Sequence, residues 1–194
     1  MICLPAYLAA FMYALIGGPS SGKTTIIEEL EKRGESVVHE AAADWIVGRQ
    51  GAGIPEPWKE KDFCLDILNL QVEREGPWLD SEGRVFLDRG IVDVYAFAME
   101  RKLAGTQTLA EINKILNPID LNQRYKAVFF VLPYKEDFSP LQTEIRRENA
   151  QEAARLEVAA YALYCRHKNF ILVPGGLSPQ ERTDFILEKI PQIE

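Results

Sequence analysis

Residues Gly17-Gly18-Pro19-Ser20-Ser21-Gly22-Lys23-Thr24 read G-x-x-x-x-G-K-T, a phosphate-binding loop pattern. This stretch constrains the fold more than any other, because it works only between a buried strand and a helix. Both flanks comply. Tyr13-Ala14-Leu15-Ile16 is a short apolar run suited to a buried strand. After the loop, Ile26, Ile27 and Leu30 share one helical face, with Glu28, Glu29, Glu31 and Lys32 largely on the other. Gly17, Gly18 and Gly22 permit a tight turn that aims backbone N–H groups at an anion, and the helix start adds its positive end. Lys23 supplies a full charge for β- and γ-phosphates, and Thr24 a hydroxyl for Mg²⁺. The nucleotide-binding set expected here is Gly17, Gly18, Pro19, Ser20, Ser21, Gly22, Lys23, Thr24 and Thr25. It implies binding of a nucleoside triphosphate, ATP or GTP, with Mg²⁺.

The 194 residues suit a single domain (1–194) with a sizeable core. A net charge of −7 without any Lys/Arg run argues against a long nucleic-acid partner. Cys3, Cys64 and Cys165 lie too far apart for a metal or redox motif, so a reduced, cytoplasmic protein is expected. His39 and His167 do not suggest a metal site of their own. Met1 to Ile16 is uncharged and mostly apolar, but it lacks the basic start of a signal peptide and the ~20 residues of a membrane span. Residues 1–12 are read as an apolar extension that packs on or lengthens the first strand, with Met12 as an alternative start.

Further along, Val37-Val38-His39 reads as a second strand ending at Glu40, followed by a helix over 41–49. Gly51, Gly53, Pro55 and Pro57 break it. A longer helix is predicted from Trp58 to about Leu79, with Phe63, Ile67 and Leu70 on its inner face. Val85-Phe86-Leu87 is a buried strand that delivers Asp88. Helices follow over 92–102 and 109–116, then a strand over 127–132, a helix over 150–167 with Leu156, Ala159, Ala160 and Leu163 inward, a strand over 170–173 and a helix over 179–190. Apolar strands alternate with helices and no hairpin joins any two. That predicts an α/β P-loop NTPase fold: a five-stranded parallel sheet with helices on both faces and its ligand beyond the carboxyl ends of the strands.

Those ends carry the candidate chemistry. Asp88 ends a hydrophobic strand, where an acid holds Mg²⁺ directly or through water; the metal set is Thr24 and Asp88. Arg89 occupies the place where water-activating ATPases usually carry a second acid, so it points toward gripping a phosphate or acceptor and toward group transfer. Glu40 either takes a proton from an attacking hydroxyl, binds the acceptor, or is an exposed acid at a helix start. Asp44 and Asp93 face the same cleft or solvent. Arg146 and Arg147, in the segment before the long helix, either close over the triphosphate as a kinase-like lid or start a solvated helix; Arg155 is a weaker candidate. Trp45, Trp58 and Tyr95 stack on a base or fill the core, and Gln71 reads a base or amide edge or faces water.

Taken together, Gly17–Thr24, Val38-His39-Glu40-Ala41-Ala42, Phe86-Leu87-Asp88-Arg89-Gly90 with Asp93 and Tyr95, and Arg146-Arg147-Glu148 give the chain a family likeness. It resembles P-loop ATPases and kinases related to the ribosylnicotinamide kinase domain of bacterial NAD-biosynthesis proteins, which carry an AAA-like ATPase domain. More distantly it resembles nucleoside and nucleoside-monophosphate kinases. The resemblance implies a five-stranded parallel sheet, Mg²⁺ at Thr24 with help from Asp88, a lid bearing Arg146 or Arg147, and Glu40 working at the acceptor. Related sequences often carry an arginine three residues after that glutamate; here Ala43 stands there, so an acceptor-side contact for nicotinamide riboside is missing.

The expected function is therefore an ATP-binding, Mg²⁺-dependent kinase acting on a hydroxyl of a small, nucleoside-like molecule. Its catalytic set is Lys23, Glu40, Asp88, Arg89, Arg146 and Arg147. The alternative is a nucleotide-binding ATPase or GTPase switch acting on a protein partner. The acceptor itself and the oligomeric state are not legible.

Overall fold

The computed structural model describes residues 11–103, 105–134 and 149–193. Arg146, Arg147 and the expected lid lie outside the described residues, as do most of the apolar extension and Cys3. In chain order the elements are β1 (Phe11–Ile16), α1 (Lys23–Lys32), β2 (Ser36–Val38), α2 (Ala41–Gly51), α3 (Phe63–Glu75), β3 (Arg84–Asp88) and α4 (Asp93–Glu100). They continue with α5 (Gln107–Leu116), α6 (Leu121–Arg124), β4 (Ala127–Val131), α7 (Ala150–Tyr164), β5 (Phe170–Val173) and α8 (Pro179–Lys189).

The strands form one five-stranded sheet in the order β2-β3-β1-β4-β5, every pair parallel. β1 is central, with Leu15 opposite Asp88 on one side and Phe129 on the other. Residue alternation sorts the sheet into two cores. Tyr13, Leu15, Phe86, Phe129 and Val131 face α1 and α8 through Ile26, Ile27, Leu30, Ile186 and Ile190. Met12, Ala14, Ile16, Val85, Leu87, Val128 and Phe130 face α2–α5 and α7 through Ile46, Leu68, Ile112, Ala160 and Tyr164. Burial on both faces is why these strands are near-continuous apolar runs. From β1 the chain crosses to β2 and back through β3, then passes to β4 on the other side. The carboxyl end of β1 is therefore the topological switch point, where α/β sheets bind ligands.

Several sequence expectations shift in detail. The helix expected from Trp58 is a 3₁₀ turn at Pro57–Lys59, then α3 from Phe63 to Glu75, then a second 3₁₀ turn at Gly76–Trp78, because Pro77 removes an N–H from the helical ladder. The buried residues of α3 are Phe63, as expected, with Cys64, Leu68, Gln71 and Glu75, whereas Ile67 and Leu70 are only half-buried. Hydrophobic periodicity cannot see a face completed by polar groups. In α7 the buried line is Ala153, Leu156, Ala160 and Tyr164, with Ala159 and Leu163 half-buried, and the helix stops before His167. β1 begins two residues earlier than expected, β2 ends before His39, and α6 has no counterpart in the sequence reading. The starts of α7 and α8 carry reciprocal capping boxes, Asn149 with Glu152 and Ser178 with Glu181. No helix among the described residues is long and apolar enough to cross a membrane.

Phe129 is fully buried against Tyr13, with ring centroids 6.3 Å apart. Phe129→Ala is expected to lower unfolding free energy by about 3–5 kcal/mol, read as a lower midpoint in urea at unchanged slope.

Candidate active site

The turn after β1 is held open by its glycines. Gly17 has φ +141°, and a Cβ there would lie 2.5 Å from the Val131 carbonyl at the end of β4. Gly22, at φ +100°, starts α1 with no side-chain cap, so the first N–H groups of that helix are left for an external anion. Ser20 also takes a left-handed φ of 60°. Lys23 is buried and folds back over the loop, donating to the carbonyls of Gly17 at 3.1 Å and Gly18 at 2.8 Å and to Ser21 Oγ at 3.3 Å. Burial lowers its pKa to about 8, with Arg89 adding repulsion against the attraction of Asp88 and Glu40. A phosphate in place of the carbonyl partners would favour the charged ammonium.

β3 brings Asp88 beside that loop. Thr24 Oγ1 donates to Asp88 Oδ2 at 2.8 Å, while Asp88 Oδ1 is buried without a hydrogen-bond partner among the described residues. Burial raises the Asp88 pKa, and Glu40 adds to the shift against the pull of Lys23 and Arg89. A desolvated carboxylate with an unused oxygen next to a threonine hydroxyl fits a Mg²⁺ site completed by phosphate oxygens and water. Among the described residues no group of three His, Cys, Asp or Glu side chains makes a metal cage.

Arg89 takes φ 80°, and its amide donates to the Leu15 carbonyl at 3.0 Å, which turns its side chain away from the sheet. Its Nε donates to Glu40 Oε1 at 2.6 Å, and its guanidinium lies 5.2 Å from the centre of the Phe97 ring. Burial acts to lower the Arg89 pKa, but Glu40 and then Asp93 outweigh it and hold the charge. Asp93 Oδ2 accepts the Gly90 N–H at 3.0 Å, and its Oδ1 is buried without a hydrogen-bond partner among the described residues. Burial pushes the Asp93 pKa up to about 6 in spite of Arg89.

Next to these groups lies a cavity of about 370 Å³, lined in part by Pro19 of the phosphate loop. Glu40, Arg89 and Asp93 lie on its wall; Ile46, Trp58, Phe63, Ile67 and Phe97 make it apolar, and Gln71 and Arg101 add polar points. An apolar chamber of a few hundred Å³ with a few convergent polar groups is the usual form of a small-molecule site.

A further buried network, invisible to sequence reasoning, fixes the Arg89 turn. Ile91 N donates to Tyr125 Oη at 2.7 Å, and Tyr125 Oη donates to Glu75 Oε1 at 3.0 Å. Glu75 is fully buried, paired with Arg124 Nε at 2.6 Å and bonded by Gln71 Nε2 at 2.8 Å. Glu157 of α7 is a second omission: its side chain packs on Gly18, and its pKa is raised by burial against the pull of Lys23. Other candidates fall elsewhere. Asp44 pairs with Arg74 at 2.8 Å, Arg155 pairs with Glu100, and Tyr95 bonds Asn113. Trp45 packs edge-on against Phe63, whereas Trp58 lines the cavity. Cys64, also on the wall, is a free thiol whose pKa burial pushes up to about 11. His167 is a core residue whose Nε2 lies 3.0 Å from the Tyr125 carbonyl oxygen.

A sheet with this order and a phosphate loop at its switch point define a P-loop nucleotide-binding domain. A family model described as an AAA domain matches residues 12–182, and the chain belongs to that family. No curated protein sequence matches it significantly. Among solved structures it is similar to deoxyadenosine kinase from M. mycoides with bound dATP, at TM-score 0.67 and 14% identity over 93% of this chain and 99% of that one. It is similar also to NadR in complex with NAD and AMP-PNP, at TM-score 0.65 and 14% identity over 95% of this chain and 49% of that one. NadR in complex with NR matches at TM-score 0.65 and 14% identity, over 95% and 50%. The chain thus spans about half the length of the NadR chains, and the likenesses establish the fold.

Gly90 sits where a Cβ would overlap the Tyr164 hydroxyl and lie 3.3 Å from that of Tyr125. Gly90→Ala is expected to cost about 1–3 kcal/mol of stability and to loosen the Arg89 turn. Chemical denaturation measures the first effect, and protection of the Ile91 amide from hydrogen exchange the second.

Proposed function

We propose that this chain is a kinase that transfers the γ-phosphoryl group of ATP to a hydroxyl of a small, nucleoside-like molecule held in the cavity beside the phosphate loop. The carrying observation is the adjacency: an apolar chamber of about 370 Å³ is lined by Pro19 of the phosphate loop together with the Glu40–Arg89 pair and Asp93. A water-activating ATPase has no need of such a chamber. Structures similar in fold include deoxyadenosine kinase with bound dATP and NadR with NR and with AMP-PNP, which supports a nucleoside-class acceptor. We read residues 1–194 as one such domain, with residues 1–12 as its apolar extension and residues 146 and 147 supplying lid arginines.

In this reading the loop residues Gly17 to Thr25 cradle the triphosphate, and Lys23 exchanges its carbonyl partners for β- and γ-oxygens. Thr24 and Asp88 would hold Mg²⁺, which neutralises charge on the phosphate oxygens. The acceptor hydroxyl attacks the γ-phosphorus, forming an O–P bond as the bond to the β–γ bridging oxygen breaks and ADP leaves. Its proton passes to Glu40, which Arg89 holds 2.6 Å away in the cavity wall. Arg89 and the lid arginines offset charge on the transferring group. The unpaired Oδ1 of Asp93 is available to a second acceptor hydroxyl.

Incubation with Mg·ATP or Mg·GTP and a pool of nucleosides, nicotinamide riboside and nucleoside monophosphates, with mass detection, should give a phosphorylated acceptor matched by diphosphate release. Slow release indifferent to every acceptor would favour a switch acting on a protein partner. Lys23→Ala should reduce transfer by at least about 100-fold. Glu40→Gln should slow transfer by about 10²–10⁴-fold while leaving the ATP dissociation constant within about threefold. A weaker ATP affinity at unchanged transfer rate would assign Glu40 to nucleotide binding instead.

A further inference from the structure

Arg182 of α8 is only 2% exposed, yet it sits against the outer side of the phosphate loop. Its Nη1 donates to the Ser21 carbonyl at 2.8 Å, and a Cβ on Gly22 would lie 3.3 Å from the same nitrogen. Its Nε and Nη2 are buried and have no hydrogen-bond partner among the described residues. Its guanidinium lies 5.7 Å from the centre of the Tyr134 ring, just beyond β4. Among the described residues no carboxylate forms an ion pair with it, and burial lowers its pKa.

Such a residue is costly to the fold. α8 already docks beside α1 through Ile186, with Ile190 just after it, and an apolar side chain at this position would pack without desolvating a charge. What the guanidinium does have is a grip on one peptide group. The Ser21 carbonyl and the Gly22 N–H belong to the same planar trans unit and point in opposite directions. Gly22, at φ +100°, has no Cβ to restrict that unit, so the peptide needs an outside restraint.

We infer that Arg182 is a positioning residue of the phosphate cradle: by holding the Ser21 carbonyl from behind, it keeps the Gly22 N–H turned toward the bound triphosphate and sets a positive charge behind the loop. The inference rests on nucleotide occupying this loop. The triphosphate is then a counter-charge for a guanidinium that pairs with no carboxylate among the described residues.

The test is calorimetric binding of Mg·ATP and of inorganic tripolyphosphate to the wild-type chain, Arg182→Lys and Arg182→Met, with thermal unfolding of each nucleotide-free protein. A charge-assisted hydrogen bond at the cradle predicts that Arg182→Met weakens both ligands by about 10- to 100-fold, and that lysine restores part of the loss. A folded Arg182→Met chain that binds both ligands like wild type overturns the inference. So does a loss for ATP without a loss for tripolyphosphate, which would place the side chain at the base and not at the cradle. Should the methionine variant not fold, Arg182→Lys decides: weakened binding of both ligands supports the role, and unchanged binding overturns it. Failure of the wild-type chain to bind any nucleotide would overturn the underlying reading, which is distinct from a variant that binds normally.

Discussion

β1 is the central strand, paired on both edges and covered on both faces, and the rest of the structure depends on what happens where it ends. Tyr13, Ala14, Leu15 and Ile16 are fully buried. The chain leaves this strand inside the molecule, at a place where water cannot satisfy its polar groups. A loop of glycines followed by an uncapped helix start solves that problem by leaving the groups for an anion. The neighbouring strands then end beside it in register, Leu15 opposite Asp88 on β3 and Ile16 opposite Phe130 on β4.

The consequence is a concentration of charge in low dielectric. Lys23, Asp88 and Asp93 are buried, and Arg89 and Glu40 nearly so. Desolvation of a charged group costs several kcal/mol, and the site offsets it by pairing Arg89 with Glu40, Thr24 with Asp88, and Asp93 with the Gly90 amide. The pairing is incomplete. Lys23 leans on carbonyls, while one oxygen each of Asp88 and Asp93 has no hydrogen-bond partner among the described residues. In the proposed reading, ligands complete the electrostatics at these points.

The site is also held from outside. The Glu75–Tyr125 pair, bolted by Arg124 and Gln71, supports the turn after Asp88. This is a layer of polar packing that a hydrophobic pattern misreads. Sequence periodicity places Ile67 and Leu70 on the inner face of α3, but Gln71 and Glu75 occupy it, because a satisfied buried network can replace apolar contacts. The placement of the phosphate loop, Asp88 and Arg89 was legible because it follows from position at strand ends. Asp44 and Arg155 were not, since whether a charged side chain meets a cleft or a neighbouring helix depends on rotation about the helix axis.

By itself the sequence determined the alternation of buried strands and helices, the parallel sheet, and the placement of Lys23, Thr24, Glu40, Asp88 and Arg89 at its ligand-binding edge. These follow from local periodicity and from a motif whose spacing is set by backbone geometry. Only the tertiary structure decided the strand order, the pairing of Glu40 with Arg89, the cavity beside Pro19, and the contact of Arg182 with Ser21, 161 residues away along the chain. The physical reason is that a local pattern fixes which face of an element is apolar, whereas partners distant in sequence are chosen by packing, where desolvated charges must find one another.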